Sequence, residues 1–201
     1  MRLSDTYVLP RLLDRDMQWE GHEKDRADIL KDAAGIVLEI GFGSGLNIPS
    51  YPAISMLYAL EPSKELWELA AERVSDAKFP ITYLKASAEH IPLPDHSVDT
   101  VVSTWTLCSI PDPRKALAAV RRVLRPDGSF IFVEHGLSSS KRMAVLQRLL
   151  TPPSRLFCGN CHLDRDIGVL VRESGLSQIT LEPFPEEGRP IFFSYRGVAK
   201  A

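Results

Sequence analysis

The chain has 201 residues, with 24 basic and 26 acidic side chains and a formal net charge of −2, too even a balance to draw in nucleic acid. No apolar run approaches the ~20 residues of a membrane span, and three cysteines are too few for a disulfide-built scaffold. The opening stretch MRLSDTYVLPRLLDRDMQWEG carries charges where a signal peptide needs its apolar core, so a cytoplasmic protein without stable membrane insertion is expected.

Over residues 8–17 the apolar positions Val8, Leu9, Leu12, Leu13 and Met17 form one helical stripe, with Pro10 near its first turn. Arg11, Asp14, Arg15 and Asp16 put both signs of charge on the other face, which favours a helix packed on the domain over a basic membrane-surface helix. A lid over a site is the open alternative. Residues 25–32 continue as a polar helix, so residues 1–34 read as an N-terminal helical cap and 35–201 as the main domain.

Residues 35–46, GIVLEIGFGSGL, organise the rest of the chain. Ile36, Val37, Leu38 and Ile40 suit a short buried strand, and Gly41, Gly43 and Gly45 then let the backbone turn sharply and let a ligand approach the main chain. The dinucleotide fingerprint G-x-G-x-x-G does not fit, because Leu46 stands where its third glycine belongs. A tight turn with no ligand competes with a cofactor loop. Residues 46–51 allow only a short helix before Pro52, and 55–60 form a second strand ending at Glu61. That is the place where doubly wound folds bind ribose hydroxyls; a solvated surface glutamate is the alternative. Pro62 and Ser63 open a helix carrying Leu66, Trp67, Leu69, Ala70 and Val74.

Residues 80–84 form a third strand, and S-V-D-T-V-V near residue 100 a fourth. An amphipathic helix over 112–124 is capped by Asp112 and Pro113 and stopped by LRPDG, before a fifth strand SFIFVEHG. Strands alternating with helices predict a parallel, doubly wound sheet. Beyond it come a helix over 141–150, a break at Pro152 and Pro153, a helix near 164–173 ended by Gly175, and two late strands over 177–182 and 191–198. The expected fold is an α/β, Rossmann-like seven-stranded sheet with an antiparallel last strand.

The pattern E-x-G-x-G-x-G from Glu39 to Gly45 resembles the first motif of class I S-adenosylmethionine-dependent methyltransferases. The resemblance implies S-adenosyl-L-methionine as cofactor, with Glu39, Gly41, Phe42, Gly43, Ser44, Gly45 and Asn47 under its methionine and ribose, and Glu61, Pro62 and Ser63 at the sugar. Ser87, Ala88 and Glu89 match the adenine motif, where relatives often carry Asp in place of Ser87; Thr104 and Leu107 follow the fourth strand. The phrases VVSTWTLCSIPDP, RRVLRPDGSFIFVEHG, CHLDRD, ESGLS and RPIFFSYRGVAK resemble, in order, methyltransferases of alkyl thiols. Phospholipid N-methyltransferases and quinone C-methyltransferases share much of the pattern, and a cofactor-binding regulator without turnover is a further reading.

The resemblance therefore implies methyl transfer to a small, partly apolar acceptor, a thiol above all. Many relatives have His-His where Cys108-Ser109 stands here, which leaves His135 and then His162 as candidate bases, against a purely structural His135 closing the strand end. Cys158-Gly159-Asn160-Cys161-His162 is a literal C-x-x-C-H. Haem attachment needs export, and zinc wants four ligands where three lie here, so no metal is expected; the resemblance places the C-H-L stretch in an acceptor-side loop.

Overall fold

The computed structural model describes residues 9–186, 188–189 and 191–201; Val8, at the start of the expected first helix, lies outside them. Two helices, α1 (Leu9–Met17) and α2 (Glu20–Leu30), precede strand β1 (Ile36–Ile40). After it come β2 (Met56–Leu60), the short helices α3 (Lys64–Leu69) and α4 (Ala71–Ser75), β3 (Ile81–Leu84), β4 (Val98–Thr104), α5 (Pro113–Val123) and β5 (Leu124–His135). The chain closes with α6 (Lys141–Phe157), α7 (Ile167–Glu173), β6 (Ser177–Pro185) and β7 (Phe193–Lys200).

The seven strands form one sheet in the order β3-β2-β1-β4-β5-β7-β6. β1 pairs in parallel with β2 on one side (Val37 beside Leu57) and β4 on the other (Val37 beside Thr100). Strand order reverses there, so a crevice opens above the carboxyl ends of β1 and β4. β7 runs antiparallel between β5 and β6, as the sequence led us to expect.

Alternation along the strands splits the core in two. Leu38, Val101, Phe130 and Phe132 point to one face, against Leu117 and Val120 of α5 and Ile167 and Val171 of α7. Val37, Val102 and Ile131 point to the other, against Leu30, Ile54 and Ala70. Glu39 shares the face of Val37 and is buried beneath α2, where a carboxylate needs dedicated partners.

Three local expectations change. The expected stop at LRPDG does not delay the strand, since β5 begins at Leu124 and absorbs the turn as an irregularity opposite residues 98–100. The helix expected after Ser63 is two short ones meeting at Ala70. Pro152 and Pro153 do not break α6, because both rings sit on its solvent side and the carbonyls they leave without donors, at Arg148 and Leu149, belong to exposed residues. The inner face of α6 is Ala144, Gln147, Thr151 and Ser154. Gln147 anchors it fully: its amide donates to the Gly136 and Ile191 carbonyls, each at 3.1 Å, and its oxygen accepts from the Ser138 amide at 2.8 Å. The outer face exposes Leu149, Leu156 and Phe157. Among the described residues no helix is long and apolar enough to cross a membrane.

Candidate active site

A cavity of about 1100 Å³ opens where strand order reverses, floored by the loop after β1 and walled by α1, the ends of β2 and β4, and the loop after α6. Gly41, Gly43 and Gly45 all adopt the left-handed conformation, with φ of 66°, 59° and 78°. A side chain would meet different obstacles at each. A Cβ at Gly41 would lie 2.2 Å from Thr106 Oγ1, and one at Gly45 would press on Ile48 and Phe42 at 3.1 Å. At Gly43 the nearest atom is a backbone oxygen 3.8 Å away, so the missing side chain leaves bare main chain facing the cavity.

Two carboxylates hold this floor. Glu61 Oε2 accepts from the Gly43 amide at 2.9 Å and its Oε1 from the Ser63 amide at 2.8 Å; burial raises its pKa, against the pull of those two donors. Glu39 accepts from Asn47 Nδ2 at 2.9 Å and from the Tyr51 hydroxyl at 2.7 Å. Burial pushes its pKa up to about 8, opposed by those hydrogen bonds and by the charge of Arg26. Asn47 Nδ2 also reaches Thr104 Oγ1 at 3.0 Å, while Asn47 Oδ1 is buried without a hydrogen-bond partner among the described residues.

Of the residues singled out in the sequence, Glu39, Gly41, Phe42, Gly43, Ser44, Asn47, Glu61, Pro62, Ser87, Ala88, Glu89, Thr104 and His135 share this one cavity wall. Gly45, Ser63, Leu107 and His162 do not. Gly45 packs beneath the loop, Ser63 caps α3 by accepting from the Leu66 amide at 3.2 Å, and Leu107 is wholly buried in the core. The His162 ring is off the wall; its amide donates to the Cys108 carbonyl at 2.9 Å. Ser87 Oγ is hydrogen-bonded to Glu89 Oε2.

The loop after β4 is shaped from behind by Glu134, which accepts from Ser103 Oγ at 2.6 Å and from the amides of Thr106 and Cys108 at 3.1 and 3.2 Å. It presents Trp105 in a left-handed conformation (φ 48°) that a bulky residue rarely adopts, with Arg26 over its ring at 5.1 Å. At the end of β5, His135 Nε2 lies 2.9 Å from Glu186 Oε1, although its N–H is not aimed along that line. Glu186 also accepts from Ser194 Oγ at 2.7 Å and stands 3.4 Å from His22 Nε2. Burial alone would lower the pKa of His135; the Cys108 sulfur and the Glu186 carboxylate outweigh it and raise it to about 10. Glu186 is driven the other way: its two histidine neighbours and Ser194 overcome burial and keep it ionised.

His22, Arg26 and Glu186 were not legible as site residues. His22 and Arg26 stand four apart on one face of α2, a buried polar face that periodicity of apolar residues passes over. Glu186 lies 164 positions from His22 and carries no local signal.

Residues 38–132 match the family described as Methyltransferase domain. A thiol S-methyltransferase of Rattus norvegicus is 28% identical over 200 residues, covering 92% of this chain and 81% of that protein. One of Homo sapiens is 32% identical over 163 residues, covering 78% of this chain and 66% of its own length. A phosphatidylethanolamine N-methyltransferase of Cereibacter sphaeroides is 29% identical over 118 residues, 58% of each chain. The chain belongs to the S-adenosylmethionine-dependent methyltransferases. The fold of this methyltransferase agrees with the YcgJ protein of Bacillus subtilis, at a TM-score of 0.67 and 18% identity over 88% of this chain and 96% of that one. Two features of its cavity fit the cofactor S-adenosylmethionine: the open space above Gly43 that any side chain would fill, and the Asn47 oxygen left without a donor.

Proposed function

We propose that this methyltransferase S-methylates a small, partly apolar thiol. Glu39, Asn47 and the main chain of residues 41–45 hold the amino-acid end and ribose of the cofactor, Glu61 and Pro62 flank the sugar, and Ser87, Ala88 and Glu89 line the adenine side. The cofactor supplies a methyl group already activated on a sulfonium. What the chain must add is alignment of the acceptor and exclusion of water. Helices α1 and α2 serve as the cap that does the excluding.

One observation carries the choice of acceptor. His135 faces the cavity with its pKa raised to about 10, while its counter-charge Glu186 lies off the cavity wall. At neutral pH a cation therefore points at the acceptor space. It favours a developing thiolate and disfavours an ammonium, and it leaves His135 already protonated and so unsuited to be the base. A thiol near pKa ~8.5 gives up its proton to solvent readily enough. The similarity to thiol S-methyltransferases supports the same reading. A cytoplasmic location is part of it, to be checked by fractionation.

Phospholipid N-methylation is the second reading, favoured by the exposed Leu149, Leu156 and Phe157 of α6, the last of which borders the cavity. Incubating the enzyme with methyl-labelled cofactor and either small thiols or phosphatidylethanolamine vesicles separates the two. Labelled thioether without labelled lipid supports the proposal. Labelled lipid alone reverses it, and no label in any acceptor points to a binding protein.

A further inference from the structure

Three metal-binding side chains that are far apart in sequence meet in the cavity wall. Cys108 follows β4, His135 ends β5 and Cys161 follows α6, yet the two sulfurs and a ring nitrogen of His135 lie within 4.8 Å of one another, all three residues buried. Cys161 Sγ is 3.8 Å from His135 Nδ1. Around tetrahedral zinc, with Zn–S of about 2.3 Å and Zn–N of about 2.0–2.1 Å, neighbouring donors stand roughly 3.5–3.8 Å apart, so small rotations of side chains suffice.

The far side of the imidazole is arranged to match. His135 Nε2 lies 2.9 Å from Glu186 Oε1 with its N–H off that line, and a small turn of the ring gives the hydrogen bond by which a carboxylate orients a metal-bound histidine and strengthens it as a ligand. The literal C-x-x-C-H is not the ligand set, since Cys158 is exposed and neither it nor His162 joins the cluster. Three protein ligands of the Cys2His type, with a position left over, are the pattern of a catalytic zinc rather than a closed structural one.

We propose that Cys108, Cys161 and His135 bind a zinc ion whose fourth position faces the cavity and takes the sulfur of the acceptor. The acceptor half rests on the thiol reading above, with the zinc ion replacing the His135 proton as the positive charge at the acceptor space; the metal half does not. Zinc displaces the protons of both cysteines and of the imidazole into solvent. An acceptor R–SH then coordinates and loses its proton to water, and its sulfur keeps a lone pair for attack. The new S–CH3 bond forms as the bond between the methyl carbon and the sulfonium sulfur breaks, that bonding pair staying on the sulfur of S-adenosylhomocysteine. One proton is released per methyl transferred. The neutral thioether is a weaker ligand than the thiolate and leaves.

The test uses the whole chain, reduced and stripped with chelator, then titrated with Zn2+ against a chromophoric competitor and with Co2+ as a spectroscopic substitute. Expected are about one zinc per chain and a tetrahedral Co2+ spectrum with a thiolate charge-transfer band that shifts when a small thiol is added. Cys161→Ser and Cys108→Ser abolish binding, Cys158→Ser leaves it unchanged, and Glu186→Gln weakens it about 10- to 100-fold. The wild-type titration decides the matter even where a variant fails to fold. Absence of tight zinc binding by the reduced wild type overturns the site, as does a Cys108–Cys161 disulfide that persists under reductant. Stoichiometric zinc without thiol methylation removes the acceptor reading and keeps the site. Thiol methylation undiminished by metal removal does the reverse.

Discussion

The Glu61 carboxylate accepts from the Gly43 amide at 2.9 Å across 18 positions of sequence, so the end of β2 fixes the conformation of the loop that ends β1. Its other oxygen holds the Ser63 amide. Replacing Glu61 with Gln leaves one oxygen for two donors and sets an NH2 against an N–H. Glu61→Gln is expected to lose about 1–3 kcal/mol in urea unfolding and to bind cofactor at least tenfold more weakly by calorimetry. Wild-type stability and affinity together would show that the carboxylate does not organise the floor.

Gly41 and Gly43 share a backbone conformation but not a role. Gly43→Ala bears only the left-handed penalty of about 1–2 kcal/mol. Gly41→Ala adds a Cβ 2.2 Å from Thr106 Oγ1 and disturbs the loop that Glu134 holds, so its loss in urea melts should be clearly the larger. Equal losses would mean the loop relaxes away from Thr106.

The raised pKa of Glu39 makes a prediction with a definite sign. Burial lifts it from 4.5 to about 8, so between those values the unfolded chain has released the proton that the folded chain keeps. Its contribution is fully present below about pH 4.5 and declines until pH passes about 8. Glu39→Gln, which keeps an acceptor for Asn47 or Tyr51, should gain stability relative to wild type as pH rises from about 5 to 9. Parallel stability curves for the two proteins would show that Glu39 is ionised throughout.

The Ser87 hydroxyl is bonded to Glu89 beside the cavity. Putting an acid at this position is expected to hurt. Ser87→Asp puts a second carboxylate beside Glu89, so cofactor affinity measured by calorimetry should fall several-fold. A rise would show that Glu89 turns away when a ligand is bound.

Whether a feature was readable in the sequence depends on how far it reaches along the chain. The sheet, the glycine loop and the caps at Ser63 and Asp112 are local, set by alternation, by φ > 0 and by residues within a few positions. They stand where the sequence puts them. The proline pair misled because a break depends on which side of the helix the rings face, and that is set by Gln147 reaching Gly136 and Ile191. The C-x-x-C-H stretch was read as an acceptor-side loop, and Cys158 and Cys161 do line the cavity; what spacing could not show is that Cys158 is exposed while Cys161 meets partners from two other strands' ends. Glu186 meets its two histidines from more than 50 positions away, a distance no local pattern spans.

On the reading proposed here, bare main chain at Gly43 makes room for the cofactor, and the rest of the site depends on that room. Titrating S-adenosylhomocysteine into the wild type and into Gly43→Val by calorimetry, with circular dichroism confirming that both are folded, tests it most directly. One ligand per wild-type chain and no measurable binding to the folded variant is the expected result. Equal affinity in the two proteins would contradict it.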